Sequence, residues 1–132
     1  MELSSGFINL NKPSGISSAA AVSRVKRITH LACGHMGTLD PLASGVLPVA
    51  FGNASRLFNY LLDKEKVYRA VFRFGMETDT LDAAGAVLRD GLPMPEEKEL
   101  NDILQKFVGE IEQIPPIYSA KSVGGVRAYQ LA

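Results

Sequence analysis

The apolar positions at the start of the chain fall into short runs separated by turns. Residues 7–10 predict a short strand that ends at the turn of residues 11–15. Ser17 or Ser18 then offers an N-cap for a helix that runs to about His30. The apolar stripe of this helix is formed by Ala21, Val22, Val25 and Ile28.

The clearest alternation lies in the middle of the chain. Residues 46–51 predict a buried strand, in which Pro48 favours an edge position or a bulge. Asn53 offers a cap for a short helix carrying Leu57, Phe58, Leu61 and Leu62. Residues 66–74 then alternate strictly and predict a strand. One face of that strand is formed by Tyr68, Ala70, Phe72 and Phe74.

The last part of the chain continues the mixture of strands and helices. A strand is predicted near residues 85–88, and Pro95 fits the first turn of a helix that Gly109 ends. The apolar side of this helix consists of Leu100, Ile103, Leu104, Phe107 and Val108. Residues 110–114 predict a final strand, residues 124–125 a turn, and residues 126–131 the start of another element.

This order of elements predicts an α/β chain of the α+β type, with strands and helices interleaved. The 132 residues suffice for one domain with one core. Because the last element stops at Ala132 in mid-pattern, we expect the chain to be a fragment of a longer protein.

The composition is that of an ordinary globular chain, with 46% hydrophobic and 21% charged residues. It excludes a collagen-like chain and a coiled coil. No apolar run reaches the roughly 18 residues of a membrane helix, and the N-terminus does not resemble a signal peptide. Because Cys33 has no partner for an internal disulfide, a cytoplasmic location is expected, without membrane contact.

The charge is unevenly distributed although the net charge is zero. Residues 1–75 contain nine Lys and Arg against four Asp and Glu, whereas residues 76–132 contain five against ten. A polyanionic ligand would therefore bind to residues 1–75 rather than to residues 76–132. Arg24, Lys26 and Arg27, on the basic side of the first predicted helix, are candidates for phosphate contacts.

The side chains that could take part in chemistry are concentrated in the loop between residues 33 and 41. One alternative is a metal-dependent hydrolase that uses His30, Cys33, His35 and Asp40, but this spacing matches no common zinc pattern. The phosphate-loop patterns G-x-x-x-x-G-K-[ST] and G-x-G-x-x-G are absent, as is the G-x-S-x-G elbow of hydrolases. Taken alone, Asp40 before a proline is typical of a turn residue.

Several motifs in register carry a more specific signal. Residues 34–48, GHMGTLDPLASGVLP, resemble the signature G-H-x-G-T-L-D-P-x-A-[ST]-G-V-L-P of the TruB family of tRNA pseudouridine synthases. Residues 12–18 are similar to the family's K-P-x-G-x-[ST]-S motif, and residues 66–70 to its K-x-Y-x-A strand. Residues 78–85 and 113–120 resemble its T-D-T-x-D-x-x-G and Q-x-P-P-x-Y-S-A motifs. The likeness follows the family's order along essentially the whole chain.

The resemblance implies an isomerase of RNA that needs no cofactor and no metal. Such enzymes break the bond between ribose C1′ and uracil N1, turn the base, and rejoin it through C5. By match to the family motifs, Asp40 is the nucleophile and Tyr68 stacks on the flipped-out base and assists proton transfer. His35 contacts the RNA beside that nucleotide, and Lys12 is expected at the floor of the substrate site. The implied fold is a mixed, largely antiparallel sheet flanked by helices.

By the same resemblance, the expected reaction is isomerisation of the T-loop uridine of tRNA, uridine 55, by a monomer that binds the T-arm stem-loop. The family has a later arginine that pairs with the aspartate and a C-terminal RNA-binding domain of the PUA type, neither of which lies in residues 1–132. The resemblance therefore implies that residues 1–132 are the N-terminal portion of a pseudouridine synthase catalytic domain, and we expect them to be inactive alone. Lys121 is shifted by one position from the family pattern.

The alternatives to a tRNA pseudouridine synthase are an RNA-guided relative acting in a ribonucleoprotein and a non-catalytic RNA-binding remnant.

Overall fold

A computed structural model describes residues 4–61 and 65–113, together with two short strands within residues 122–127. The elements in chain order are β1 (Ser5–Lys12), α1 (Ser18–Thr29), β2 (Cys33–His35), β3 (Gly45–Gly52), a 3-10 helix (Asn53–Tyr60), β4 (Met76–Thr78), β5 (Val87–Asp90), α2 (Glu97–Leu104), a second 3-10 helix (Gln105–Phe107), β6 (Ser122–Val123) and β7 (Val126–Arg127). All strand pairs are antiparallel. The expected mixed α+β class is confirmed.

The first three strands form one sheet in the order β1-β3-β2. β1 pairs with β3 from Ser5 opposite Gly52 to Lys12 opposite Gly45, and β2 pairs with the other edge of β3. This register places the end of β1 beside the start of β3. The turn after β1 and the connection from β2 to β3 therefore leave the sheet at the same end.

The core of this unit lies between β3 and α1. Leu47 and Val49 of β3, which belong to this core, are at most 1% exposed. Ala21, Val22 and Val25 of α1 are also buried, as the helical stripe predicts. Ile28, the fourth position of that stripe, is 80% exposed, so its prediction as an apolar contact was wrong. It lies in the last turn of α1, one residue before the helix ends.

The position of Pro48 also differs from the prediction. β3 is the central strand, and its register with β1 runs without a bulge through Pro48. The Pro48 carbonyl accepts a hydrogen bond from the Met36 amide. In a strand the carbonyl and the amide position of one residue point to the same side. The missing N–H of Pro48 therefore faces the side on which β2 has already ended, at His35. Because this is not the side that pairs with β1, the proline costs the β1–β3 ladder no hydrogen bond, and a central proline is tolerated there.

The contacts divide the chain into two compact units, residues 1–69 and 70–132. In the second unit, β4 and β5 form a hairpin, and α2 begins with a capping box between Glu96 and Glu99. None of the described residues from 70 to 113 is buried. Among the described residues, no helix is long and apolar enough to cross a membrane.

Two predicted strands do not form within the described residues. Residues 66–74 have no strand pairing, and side chains from both faces of the predicted strand, Val71 and Phe72, remain 93% and 75% exposed. A strand needs a neighbour for its backbone groups, and the described residues supply none here. Residues 110–113 are likewise not a strand. Position 114, the turn at 124–125 and most of residues 126–131 lie outside the described residues.

Candidate functional site around Asp40

Residues 36–44, named here the Asp40 loop, connect β2 to β3 at the end of the sheet where β1 also ends. Two glycines set its path, because Gly37 has a φ of +96° and the following Gly45 a φ of +140°. Residues with a side chain rarely adopt either conformation. Asp40 lies between them, in a turn closed by a 3.0 Å hydrogen bond from the Ala43 amide to its carbonyl.

Lys12, the last residue of β1, is buried beneath this loop with no exposed surface. Its ammonium donates to the carbonyl oxygens of Pro13 at 2.9 Å, Ile16 at 2.7 Å and Pro41 at 3.4 Å. An ammonium has three donors, and each has an acceptor here. The buried position fits the expectation that Lys12 shapes the floor of the site. All three donors of Lys12 are used by these carbonyls, and its expected part in substrate binding stays a prediction.

The turn after β1 contributes further hydrogen bonds to the Asp40 loop. The Gly15 amide donates to the Pro41 carbonyl at 2.7 Å, and the Ser14 hydroxyl donates to the Leu42 carbonyl at 2.8 Å. On the other side of Asp40, the Ser18 hydroxyl contacts the backbone of Leu39. The backbone is therefore held both before and after Asp40 by one segment, residues 12–18.

The Asp40 side chain itself is left free by this arrangement. Asp40 is exposed, and its carboxylate makes no hydrogen bond or ion pair with any residue in 4–61 or 65–113. A carboxylate on a fixed backbone, with no internal partner, is available to attack an electrophile or to accept a hydrogen bond from a ligand. The arginine partner expected in the family does not occur in the described part of the chain.

His35 is the last residue of β2 and is half-buried. Its Nδ1 forms a hydrogen bond with the carbonyl oxygen of Gly37, two residues further along. Because a carbonyl only accepts, Nδ1 carries the proton in this pair. The ring is thereby oriented by the loop backbone, and its Nε2 is the nitrogen left for a ligand.

A cavity of about 780 Å³ adjoins the Asp40 loop within the first unit. Its wall contains residues 36–39 and 42–48 of the loop and strand, together with Leu61 and residues 65–69. Tyr68 belongs to this wall and is 68% exposed. The structure thus brings Tyr68 to the Asp40 loop. The side chains of Asp40 and His35 are not part of the wall, although Leu39 and Leu42 on either side of Asp40 are.

The three basic candidates lie on exposed positions of α1. Lys26 and Arg27 line a second cavity of about 500 Å³ together with Ser23 and His30, whereas Arg24 does not. This cavity lies at the carboxyl end of the helix, where cations are favoured by the helix dipole. Lys26 and Arg27 are therefore grouped, and Arg24 is apart from them.

The metal-site alternative is not supported by the donor groups. Within the described residues, no three His, Cys, Asp or Glu side chains come together as a ligand group. His30, Cys33, His35 and Asp40 accordingly do not form the set that a hydrolytic zinc centre needs. Cys33 instead contacts Thr29 and the carbonyl of Leu31.

Sequence reasoning missed the residues that hold the loop. It considered Ser17 and Ser18 as alternative helix caps and as part of a family motif, and Ser17 is indeed the N-cap, accepting from the Ala20 amide at 3.1 Å. The available signal was the position of Ser18 on the same helical stripe as Ala21, Val22 and Val25. A polar side chain on a buried face requires a hydrogen-bond partner.

Comparison with known proteins connects this geometry to one family. The family described as "TruB family pseudouridylate synthase (N terminal domain)" matches residues 25–132. The chain is similar to tRNA pseudouridine synthase B of Ehrlichia ruminantium, with 48% identity over 128 residues that cover 96% of this chain and 43% of the relative. The corresponding protein of Zymomonas mobilis is 48% identical over 129 residues, covering 93% of this chain and 43% of that protein.

A solved structure, the crystal structure of a Cbf5-Nop10-Gar1 complex, superposes with a TM-score of 0.58 at 31% identity. The match covers 89% of this chain and 31% of the compared chain. The chain thus spans about two fifths of the length of the curated relatives it matches. On these matches, the chain belongs to the TruB family of pseudouridylate synthases and corresponds to its N-terminal domain.

Proposed function

We propose that this chain carries the catalytic aspartate of a tRNA pseudouridine synthase that isomerises the T-loop uridine, uridine 55. The observation that supports this most is the Asp40 loop, in which buried donors hold the backbone on both sides of an exposed carboxylate that has no partner in residues 4–61 or 65–113. Relatives named tRNA pseudouridine synthase B, 44–48% identical over about the whole chain, support the tRNA substrate.

In the proposed reaction Asp40 is the nucleophile. The C1′–N1 bond breaks, a C1′–C5 bond forms, N1 gains a proton and C5 loses one. The product has the same atoms as the substrate, so the reaction requires no redox partner and no group donor. The target base is extruded from the folded RNA because a base within a stack is out of reach of a loop carboxylate.

Tyr68 is proposed to receive the flipped base. It is exposed in the wall of the cavity beside the Asp40 loop, and an aromatic ring there offers a stacking platform. Its hydroxyl is proposed to assist removal of the C5 proton. His35, with Nδ1 engaged by Gly37, would present Nε2 to the RNA beside this base.

The RNA backbone is proposed to lie along the basic face of α1. Lys26 and Arg27 line one cavity and are exposed, and Arg24 is exposed elsewhere on the same helix. These side chains would contact phosphates of the T-arm and fix its register, and such contacts weaken as salt rises.

We also propose that residues 1–132 form the N-terminal portion of a catalytic domain and are inactive by themselves. Their match to about two fifths of the relatives' length supports this. Turnover is therefore measured in the full-length protein. An RNA-guided function, which the shared G-T-L-D-P motif at residues 37–41 also allows, is the second candidate.

The proposal is tested by tritium release from a T-arm stem-loop whose target uridine carries ³H at C5. The full-length protein should release tritium from this RNA without any guide RNA, and the product should contain pseudouridine at the target position. A stem-loop of the same sequence, labelled at a different uridine, is the control and should release none. Release that depends on an added guide RNA would favour the second candidate, and no release under either condition would contradict a synthase function.

A further inference from the structure

Ser18 is one of two polar side chains that are buried among the described residues, the other being Lys12. It is 3% exposed and has no role in the reaction proposed above. A buried hydroxyl is stable only with hydrogen-bond partners, and Ser18 finds both of its partners on a single residue 21 positions away. That residue is Leu39, immediately before Asp40.

The two hydrogen bonds fix two consecutive peptide groups. The Ser18 Oγ donates to the Leu39 carbonyl at 2.8 Å, and this carbonyl belongs to the peptide that joins Leu39 to Asp40. The same Oγ accepts from the Leu39 amide at 2.9 Å, which belongs to the peptide that joins Thr38 to Leu39. One side chain thus holds the backbone of Leu39 as the edge of a neighbouring strand would.

Both partners are anchored in the same core. Ser18 begins α1, whose Val22 and Val25 are buried, and the Leu39 side chain packs against this cluster. Leu39 is therefore held at its backbone by Ser18 and at its side chain by the core. By contrast, the contacts from Lys12, Ser14 and Gly15 all reach the loop after Asp40.

We infer that Ser18 is a positioning residue, which fixes the peptide leading into Asp40 and thereby the direction in which the carboxylate leaves the loop. The inference rests on the proposed function, since the direction of Asp40 matters to turnover only if Asp40 reacts. Ser18 touches neither substrate nor reacting atoms. Its effect is geometric, and a displacement of about 1 Å in a reacting group can lower a rate by about 10²-fold.

The test compares Ser18→Ala with Ser17→Ala in the full-length protein under single-turnover conditions with saturating T-arm RNA. Ser18→Ala should lower the rate by about 10²-fold while the Kd for the RNA stays within about twofold. Ser17→Ala removes the neighbouring helix cap but no contact to the Asp40 loop. It should lower Tm by a few degrees and leave the rate unchanged. Ser18→Thr retains the hydroxyl and should restore most of the rate.

A second variant covers the case in which Ser18→Ala does not fold. Ser18→Cys keeps a side chain of similar size but replaces the hydroxyl by a weak donor and acceptor, so it should also lose rate. Full turnover in Ser18→Cys or Ser18→Ala, with Asp40→Asn inactive in the same assay, would overturn the positioning role and leave the proposed function intact. Full turnover in Asp40→Asn would instead refute the proposed function.

Hydrogen exchange of the Leu39 amide gives a readout that does not depend on activity. Protection of this amide should fall in Ser18→Ala and persist in Ser17→Ala. Unchanged protection of Leu39 in Ser18→Ala would contradict the inference even if the protein were inactive on every RNA.

Discussion

Two loops of this molecule contain aspartates and hold them in opposite ways. In the Asp40 loop, the backbone is held by residues 12–18, and the Asp40 carboxylate has no partner among the described residues. In residues 79–86, named here the Asp82 loop, the aspartate carboxylates themselves accept the hydrogen bonds that fix the loop. Asp82 Oδ1 accepts from the Thr80 hydroxyl at 2.6 Å and the Ala84 amide at 2.9 Å. Asp79 accepts from the Ala86 amide at 2.9 Å.

The difference distinguishes carboxylates that hold a loop together from one that is available for the proposed reaction. The hydrogen bond from Thr80, followed by that from the Ala84 amide, lowers the pKa of Asp82 below its ordinary value. These bonds stabilise the charged form but occupy its lone pairs. A loop that depends on its own carboxylate cannot release it for chemistry. A loop fixed by other segments can present one, and this is the arrangement around Asp40.

Apart from Asp40 itself, the largest effect is expected at Tyr68, which borders the cavity of the Asp40 loop. Tyr68→Phe in the full-length protein should lower turnover by about 10²-fold or more if the hydroxyl assists proton transfer. Tyr68→Leu should lose a further ~1–3 kcal/mol of base stacking. Both variants should fold, because Tyr68 is largely exposed. Single-turnover tritium release measures both, and normal turnover in Tyr68→Leu would remove Tyr68 from the site.

A smaller effect, on stability, is expected from Lys12→Met. The substitution keeps the length of the side chain but removes the charged donor to three carbonyls. It should lower the free energy of unfolding by about 1.5–3 kcal/mol, as for hydrogen bonds made by charged groups. Lys26→Met, on an exposed position of α1, is the matched control and should change stability little. Urea denaturation checks the pair, and equal stability of the two variants would show that the Asp40 loop does not depend on Lys12.

The smallest effect is expected from acid at the Asp82 loop. Because the folded-state pKa of Asp82 is lowered, its carboxylate contributes stability above its ordinary pKa of 3.8, and this contribution is lost as pH falls through the lowered value. The Ala84 amide resonance should therefore titrate below pH 3.8 in the wild type and not in Asp82→Asn. The contacts to Leu39, Pro41 and Leu42 come from serines, a lysine and backbone groups, with no carboxylate, so the hydrogen-exchange protection of the Asp40 loop should not follow this transition. A loop 36–44 that loosens together with Ala84 would contradict the comparison.

Local pattern was sufficient to predict much of the first unit. A helix cap at Ser17 or Ser18, the buried positions of α1 other than Ile28, and the strand around Leu47 were predicted, because each depends on neighbours in sequence. The predicted strand at residues 66–74 failed for the opposite reason. Alternation establishes that a segment can be a strand, but pairing requires a partner elsewhere.

The sequence allowed the site residues to be predicted, but not the contacts that hold them in place. The motif resemblance indicated Asp40, His35 and Tyr68, and the structure brings Tyr68 to the cavity beside the Asp40 loop. The burial of Lys12 and the double hydrogen bond of Ser18 join segments about 20 to 30 residues apart, and sequence spacing alone contains no information about such contacts. The central position of Pro48 was missed because the prediction could not know where β2 ends.

The central claim is that the Asp40 loop presents a reactive carboxylate that the loop does not need for its own structure. Its most direct test is Asp40→Asn in the full-length protein, with Asp82→Asn as the matched control. Asparagine holds a turn about as well as aspartate but is a very poor nucleophile. Asp40→Asn should keep Tm and RNA affinity and lose turnover, whereas Asp82→Asn should keep turnover. Turnover of Asp40→Asn within about tenfold of the wild type, a barrier change of only ~1.4 kcal/mol, would contradict the claim and return Asp40 to the role of a turn residue.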